Sequence, residues 1–324
     1  MNATFQMVVN DDALCEALEE TYTELLEENQ QEIKNLELHI QVLQSKMEEE
    51  GKEWFAYLHK SYQEATRAYG MAKNEHLVCL AYQNAYQTLL KAIKLYRSGS
   101  NERIDLTPLR FLLAIDGQDN QEICGLTVGT MGDPHEFFMA LFSRVDLEKY
   151  PHIGAIPGYL RTYTRPDGTS ESRQNLDPKT LDLQVQIEPN KTGQDLVNGL
   201  FALKQIKKEE SAKLEEVGPM ATEKRRFIDP PERLLIHLKR FTPQREKITA
   251  AVPMPEQLFI EGQKYHLSSI AYHYGIHHVA YIKKNGEWYK ADDSTVTKAH
   301  DLATGLNYGY LYFYVLESSL HHID

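Results

Sequence analysis

The feature that most constrains the fold is a change of hydrophobic periodicity along the chain. Residues 11–66 contain no proline and only one glycine, Gly51, and their Glu, Gln, Lys and Leu content is typical of long helices. After Pro230 and Pro231, by contrast, short alternating apolar runs predict strands. Helices first and strands later predict an α+β fold.

The same periodicity predicts individual elements. Further helices are expected over residues 69–96, 134–149 and 192–216. Strands are expected over residues 181–187, 234–238, 279–283, 288–291 and 308–316, with Asn285-Gly286 as a hairpin turn. We therefore predict an N-terminal helical extension, residues 1–66, followed by a second domain over residues 67–324.

An apolar seam runs along the extension. Its members are spaced by three and four residues, as in a heptad repeat: Ile33, Leu36, Ile40, Leu43 and Met47. An earlier seam over residues 14–25 is offset from it, which predicts a stutter in the repeat or a helix break near residues 27–30. Two interpretations remain open. The extension forms a helical hairpin within the chain, or it forms an intermolecular coiled coil for partner binding or self-association.

The net charge of −12 is concentrated at the N-terminus. Residues 1–50 carry thirteen acidic and two basic residues, whereas the rest of the chain has 34 acidic and 33 basic residues. Because no basic excess exists, non-specific nucleic-acid binding is not expected, although the acidic segment would attract a basic partner.

Composition narrows the class of protein. Hydrophobic residues at 42% and charged residues at 25% are typical of a folded globular protein. No window approaches the roughly 20 apolar residues of a membrane span, and the N-terminus lacks the basic and apolar stretches of a signal peptide. A cytoplasmic location is expected, or the host cytosol if the protein is a secreted effector.

The three cysteines, Cys15, Cys79 and Cys124, include no Cys-x-x-Cys pair. Neither a disulfide framework nor a zinc ribbon is therefore expected, and no metal or cofactor is predicted. Cys124 is interpreted as a structural cysteine, because single cysteines are usually buried.

A histidine and an acid flank the predicted hairpin at Asn285-Gly286. His277 and His278 precede its first strand, and Asp292 and Asp293 end its second. Because a hairpin brings these two ends together, an imidazole can meet a carboxylate there. Such a pair is the base and its orienting partner in a catalytic triad.

Several motifs in sequence order resemble the ubiquitin-specific protease family. They are residues 231–241 (PERLLIHLKRF), 272–275 (YHYG), 277–281 (HHVAY), 288–294 (WYKADDS) and 309–314 (GYLYFY). Upstream, residues 132–137 (GDPHEF) are similar to the family's glutamine-aspartate helix motif. The resemblance covers roughly residues 67–317.

The resemblance implies a papain-like cysteine protease fold with a helical thumb, an antiparallel-sheet palm and fingers. The implied activity is that of a deubiquitinase, which hydrolyses the (iso)peptide bond after the ubiquitin C-terminal Gly-Gly through a thioester. The implied partners are ubiquitin and ubiquitinated proteins. His277 would be the general base, with His278 as an alternative, and Asp292 would orient it, with Asp293 as the runner-up. Asp133 and Glu136 would contact the ubiquitin tail, although capping of a helix explains them equally.

The nucleophile has two candidate positions. The family's cysteine box carries an asparagine five residues before the cysteine, as Asn74 stands before Cys79, and Asn74 would then stabilise the oxyanion. The downstream part of the box, however, fits residues 82–85 (YQNA) only if Ala81 holds the nucleophile position. Because alanine cannot react, we favour Cys79, placed at a helix start where a thiol pKa is lowered. The alternative is an inactive ubiquitin-binding scaffold, and a protease for another ubiquitin-like modifier is a third possibility.

The fingers are expected to be short and metal-free. Many family members carry four cysteines there, whereas this sequence has none after Cys124. The fingers would fall between about Asp146 and Pro230. A smaller grip on ubiquitin would then leave a role for the N-terminal extension in binding.

Overall fold

The protein has an α+β fold, described here from a computed structural model. The structure describes residues 7–50, 58–98, 133–155, 157–164, 167–205, 222–242, 244, 246–274, 277–293 and 295–322. Its helices are α1 (Asp12–Glu50), α2 (Leu58–Arg97), α3 (Pro134–Phe142), α4 (Gly193–Phe201) and α5 (Leu302–Tyr308). A 3-10 helix at Glu317–His322 follows the last strand.

The strands divide between two sheets. They are β1 (Pro157–Thr164), β2 (Ser170–Leu176), β3 (Asp182–Gln186), β4 (Lys204–Gln205), β5 (Thr222–Phe227), β6 (Arg233–Lys239), β7 (Gln257–Ile260), β8 (Gln263–Tyr274), β9 (His277–Lys284), β10 (Glu287–Asp292), β11 (Thr295–Lys298) and β12 (Leu311–Leu316). The larger sheet has the order β11-β10-β9-β8-β12-β6-β3, and β7 pairs with β8. All of its pairs are antiparallel except β3 with β6.

The main hydrophobic core lies on the larger sheet. The alternating strand positions Leu234, Ile236 and Leu238 on β6 pack with Tyr312 and Tyr314 of β12, all of them buried. Helix α4 covers part of this core, and it begins with a capping box in which Thr192 and Asp195 exchange hydrogen bonds. Tyr281 of β9 and Trp288 of β10 belong to the same core, so the strands that carry the predicted base and acid are anchored in it.

The smaller sheet has the order β2-β1-β5-β4 and lies within the window predicted for the fingers. Its strand β2 is almost entirely exposed, and Leu176 at its end is 61% exposed. Polar side chains on neighbouring strands pair on its surface, such as Arg161 of β1 with Glu223 of β5 in an ion pair. This sheet is therefore held together mainly by its ladder hydrogen bonds and by cross-strand polar pairs.

The chain divides into two compact units, each described by itself. One unit comprises residues 1–14, 133–139 and 145–324, and the other comprises residues 15–132 and 140–144. The predicted boundary after residue 66 stays a prediction, and that position lies inside α2.

Within the second unit, α1 and α2 pack on one another. Leu36 and Leu43 from the predicted seam are buried against Ala72 of α2, with Tyr69 beside them. Arg97 near the end of α2 forms an ion pair with Glu19 of α1 at 2.9 Å. The seam is thus covered from within the chain, which favours the helical hairpin over an intermolecular coiled coil.

Helix α1 is continuous through residues 27–30, so of the two alternatives predicted there the helix break is wrong and the stutter remains. Three other element predictions were wrong at their boundaries. Helix α3 ends at Phe142 rather than residue 149, since Asp146 accepts a hydrogen bond from the Glu148 amide in a turn. Helix α4 ends at Phe201, and residues 206–216 of that prediction lie outside the described residues. The last strand begins at Leu311, because residues 302–308 form α5.

Glycine is required where α5 meets β12. A Cβ at Gly309 would lie 2.6 Å from the ring of Tyr312, closer than atoms can approach without rearrangement. The amide of Gly309 donates to the Gly305 carbonyl and ends α5. Among the helices in the described parts of the chain, none is long and apolar enough to cross a membrane.

Candidate active site

The predicted hairpin brings His277 and Asp292 together. Strands β9 and β10 pair in antiparallel register from Glu287 opposite Lys284 to Ala291 opposite Ala280. Asn285 and Gly286 form the turn with φ values of 50° and 77°, as a two-residue type I′ turn requires. Nε2 of His277 then lies 2.7 Å from Oδ1 of Asp292.

This contact fixes the chemistry available to the imidazole. Because a carboxylate accepts hydrogen bonds, Nε2 of a neutral His277 carries the proton and donates it to Asp292. Nδ1 is then the basic nitrogen, able to take a proton from a thiol. The side chains of His277 and Asp292 are 31% and 48% exposed, so both are accessible to solvent.

His278 occupies a different environment from its neighbour. Its ring contacts that of His273 in β8 at a centroid distance of 4.5 Å and an interplanar angle of 56°. Burial, followed by the nearby His273, lowers the pKa of His278 to about 4. The structure thus pairs His277, not His278, with the acid.

Asp133 is engaged within the chain. Its Oδ1 accepts hydrogen bonds from the amides of His135 at 2.7 Å and Glu136 at 3.4 Å, so it caps α3. The hydroxyl of Tyr310 donates to both carboxylate oxygens at 2.9 Å. Burial, reinforced by Asp133, raises the pKa of Tyr310 well above its usual value. Capping is therefore observed, and Glu136 lies in the first turn of the same helix.

Cys79 does not begin a helix. It lies in the interior of α2, so the prediction of a thiol at a helix N-terminus was wrong. Its side chain packs against the apolar cluster formed by Leu36, Leu43 and Ala72, and the chain's Asn29 donates a hydrogen bond to its carbonyl at 2.8 Å. Burial raises the pKa of the Cys79 thiol above its ordinary value, and Glu32 and Glu75 add to this effect.

Asn74 and Ala81 lie on the same helix as Cys79 but point in other directions around its axis. At 100° per residue, Asn74 is about 140° and Ala81 about 200° away from Cys79 around the axis. Asn74 is exposed and Ala81 is half-buried. Position 81 therefore faces away from the cluster that holds the Cys79 side chain, and Cys124 lies outside the described residues.

Two arrangements escaped the sequence analysis. Arg240 of the 231–241 motif is buried and donates to four carbonyls, those of Gly309, Asn307, Ala250 and Ile248. It thereby ties the segment after β6 to the end of α5, and only its position in a recognised motif could have signalled it. The second arrangement, of His135, Asp182 and His237, joins residues distant in sequence.

Comparison with known proteins decides the family. The model of the family described as ubiquitin carboxyl-terminal hydrolase matches residues 1–314. The chain belongs to this family.

Individual relatives agree with the family. Ubiquitin carboxyl-terminal hydrolase 16 of Arabidopsis thaliana is 30% identical over 181 residues, which cover 48% of this chain and 18% of the relative. The SAGA Ubp8 DUB module bound to ubiquitin aldehyde is 19% identical with a TM-score of 0.53, over 74% of this chain and 59% of that one. The structure of the Ubp8-Sgf11-Sgf73-Sus1 SAGA DUB module includes a chain that is 18% identical with a TM-score of 0.51. The match covers 74% of this chain and 57% of that one.

These comparisons confirm the predicted family and its α+β fold. The chain spans less than a fifth of the curated relative and under two thirds of the solved chains. The family match begins at residue 1, so that helix α1 lies within the matched region.

The half-buried His278 predicts that the free energy of unfolding falls in mild acid. The pKa of His278 falls from an unfolded value of about 6.5 to about 4 on folding, so folding favours the neutral ring. Its contribution is complete above pH 6.5 and is lost as the pH falls towards 4. After allowance for partial hydration of the ring, we expect a loss of about 2 kcal/mol between pH 7 and pH 4.5.

Urea unfolding of the full chain at the two pH values measures this loss. His278→Phe should flatten the pH dependence, because phenylalanine fills similar space and cannot be protonated. His300→Gln is the control, since His300 is exposed. An unchanged pH dependence in His278→Phe would contradict the assignment.

Proposed function

We propose that this chain is a deubiquitinase, a thiol-dependent hydrolase of the (iso)peptide bond after the ubiquitin C-terminal Gly-Gly. The observation that carries the proposal is the 2.7 Å contact between His277 and Asp292 in a chain that belongs to the ubiquitin carboxyl-terminal hydrolase family. The similar SAGA DUB module binds ubiquitin aldehyde, which supports ubiquitin as the substrate here.

In the proposed reaction, His277 takes the proton of the Cys79 thiol while Asp292 holds the imidazole in place. The thiolate attacks the carbonyl carbon of the last glycine, and Asn74 stabilises the oxyanion. The amine leaves with the proton from His277, and a thioester forms. Water, deprotonated by the same imidazole, then hydrolyses the thioester and releases ubiquitin.

Recognition of the ubiquitin tail is assigned to Asp133 and Glu136. The tail carries arginines, and a carboxylate pairs with a guanidinium through charge-assisted hydrogen bonds. In this proposal Asp133 keeps its capping contacts to the α3 amides and exchanges the Tyr310 hydroxyl for an arginine of the tail. The proposed location is the cytoplasm.

The surroundings of Cys79 favour a second candidate, a ubiquitin-binding protein that does not cleave. Its thiol packs in an apolar cluster and has a raised pKa, the opposite of an activated nucleophile. In this reading Ala81 holds the nucleophile position, and residues 11–66 recruit partners. Leu38 and Val42 on α1 are 63% and 58% exposed and are available for such contacts.

Reaction with ubiquitin that carries a C-terminal thiol-reactive electrophile separates the two candidates. Intact mass is recorded for the full chain, for Cys79→Ser and for Ala81→Cys, with Cys124→Ser as the matched control. A one-ubiquitin adduct that is lost only in Cys79→Ser supports the deubiquitinase. An adduct formed only by Ala81→Cys supports the non-cleaving protein. Absence of any adduct in all variants, together with no binding of free ubiquitin, contradicts both.

A further inference from the structure

A cluster of two histidines and an aspartate lies apart from the His277–Asp292 pair. His135 comes from the first turn of α3, Asp182 from the start of β3 and His237 from β6. Strands β3 and β6 are parallel neighbours, with Gln184 opposite His237. Three elements thus bring the side chains together, and neither the proposed hydrolysis nor tail binding uses them.

The donor atoms converge on one point. Nε2 of His135 lies 2.8 Å and Nδ1 of His237 lies 3.5 Å from the same oxygen, Oδ2 of Asp182. One nitrogen or oxygen atom from each residue lies within 4.8 Å of the other two. In a tetrahedral zinc site with bonds of about 2.0–2.2 Å, ligand atoms are about 3.3–3.5 Å apart, so only small shifts are needed.

One buried donor lacks a partner in this arrangement. His237 is only 6% exposed, and its Nδ1 completes no hydrogen bond. Buried polar atoms are nearly always satisfied, and this Nδ1 lies 3.5 Å from the Asp182 carboxylate without completing a hydrogen bond, so a bound ion would supply the contact it lacks.

The surroundings of the aspartate also suit a cation. The Asp182 side chain is 5% exposed, and one of its carboxylate oxygens faces a nitrogen of each imidazole. The rings of the two histidines stack at 4.0 Å with a 32° tilt, which fixes their orientation. His135 is 15% exposed, so one of the three side chains is in contact with solvent.

From this geometry we propose that His135, Asp182 and His237 bind a divalent transition metal, with zinc as the best-fitting ion. Two imidazoles and one carboxylate form a ligand set that zinc uses in proteins, with water in the fourth position. Imidazole donors also disfavour magnesium and calcium, which prefer oxygen ligands. The ion would tie the start of α3, and with it Asp133, to the larger sheet.

Zinc titration of the full chain after dialysis against a chelator tests this site. Isothermal titration calorimetry should show one zinc ion bound per chain. His237→Gln and His135→Gln should each lose this binding, whereas His266→Gln, which removes a histidine paired with Glu317, should keep it. His237 is the more buried of the two residues, so His135→Gln tests the site even if His237→Gln fails to fold. Circular dichroism shows whether each variant is folded.

Two results would overturn the proposal. One is the absence of zinc binding at stoichiometric concentrations. The other is binding that survives in both His135→Gln and His237→Gln but is lost in His277→Gln, which would place the ion at His277, Asp292 and Asp293 instead. Neither result depends on hydrolysis, so the metal site and the proposed function can fail independently.

Discussion

Asp292→Asn is expected to lower kcat/KM for a ubiquitin C-terminal amide by about 10²–10⁴-fold, the range for loss of general base catalysis. The carboxylate holds the proton of His277 on Nε2, which leaves Nδ1 free to take the thiol proton. Asparagine can present its NH₂ group to Nε2 and stabilise the other tautomer. The measurement uses the full chain, or Ala81→Cys if only that variant reacts with the ubiquitin electrophile.

Asp293→Asn is the matched control. Asp293 has a φ of 49°, a left-handed conformation that asparagine also tolerates, so the substitution does not strain the backbone. It removes the same charge one residue away and should leave kcat/KM nearly unchanged. Equal losses in the two variants would show that the local negative charge matters rather than the contact with His277.

The hairpin that carries this pair could be predicted because its signals are local. Asn285-Gly286 specifies the turn, and the strands on either side alternate. A hairpin of known register then determines which ends meet, so the sequence predicted that a histidine at 277 or 278 meets an acid at 292 or 293. The choice between Asp292 and Asp293 did not follow from the sequence, because it depends on the direction of each side chain after the strand ends.

The environment of Cys79 could not be predicted from spacing. Asn74 and Cys79 match a motif whose cysteine begins a helix, but helix-forming residues surround them here and α2 runs from Leu58 to Arg97. Local propensity therefore overrides the resemblance. The packing of Cys79 on α1 depends on contacts between residues far apart in sequence, such as Leu36 with Ala72.

The metal-type cluster was hidden for a similar reason. Metal motifs are recognised when ligands follow one another at short spacing. His135 and Asp182 are 47 residues apart, and His237 lies on another strand, so no spacing rule applies. The parallel pairing of β3 with β6 brings Asp182 and His237 together, although β4 and β5 of the smaller sheet lie between these two strands in the sequence. The position of α3 then adds His135.

Asp11→Asn is expected to destabilise the chain by about 3–5 kcal/mol, the cost of breaking a buried ion pair. Nε of Arg233 lies 3.2 Å from both carboxylate oxygens of Asp11, and the two side chains are 2% and 1% exposed. Asp11 also accepts a hydrogen bond from the Leu14 amide at 3.0 Å. The amide would leave the buried guanidinium with only one carboxylate partner, that of the half-exposed Glu232, 2.8 Å from an Arg233 terminal nitrogen. Urea unfolding at pH 7 measures the change.

Glu317→Gln provides the comparison, because it removes a charge of the same sign from an exposed pair with Lys264 and should cost less than about 1 kcal/mol. A cost for Asp11→Asn as small as this would contradict the assignment.

The ion pair between Asp11 and Arg233 also affects any test of ubiquitin binding by the N-terminal extension that deletes residues 1–66. Asn10 donates to the carbonyl of Lys283 in β9, the strand that begins at His277. A raised KM after that deletion would therefore reflect the loss of the contact to β9 and of the Asp11–Arg233 ion pair, so Asp11→Asn must be measured alongside the deletion before ubiquitin contacts are assigned to the extension.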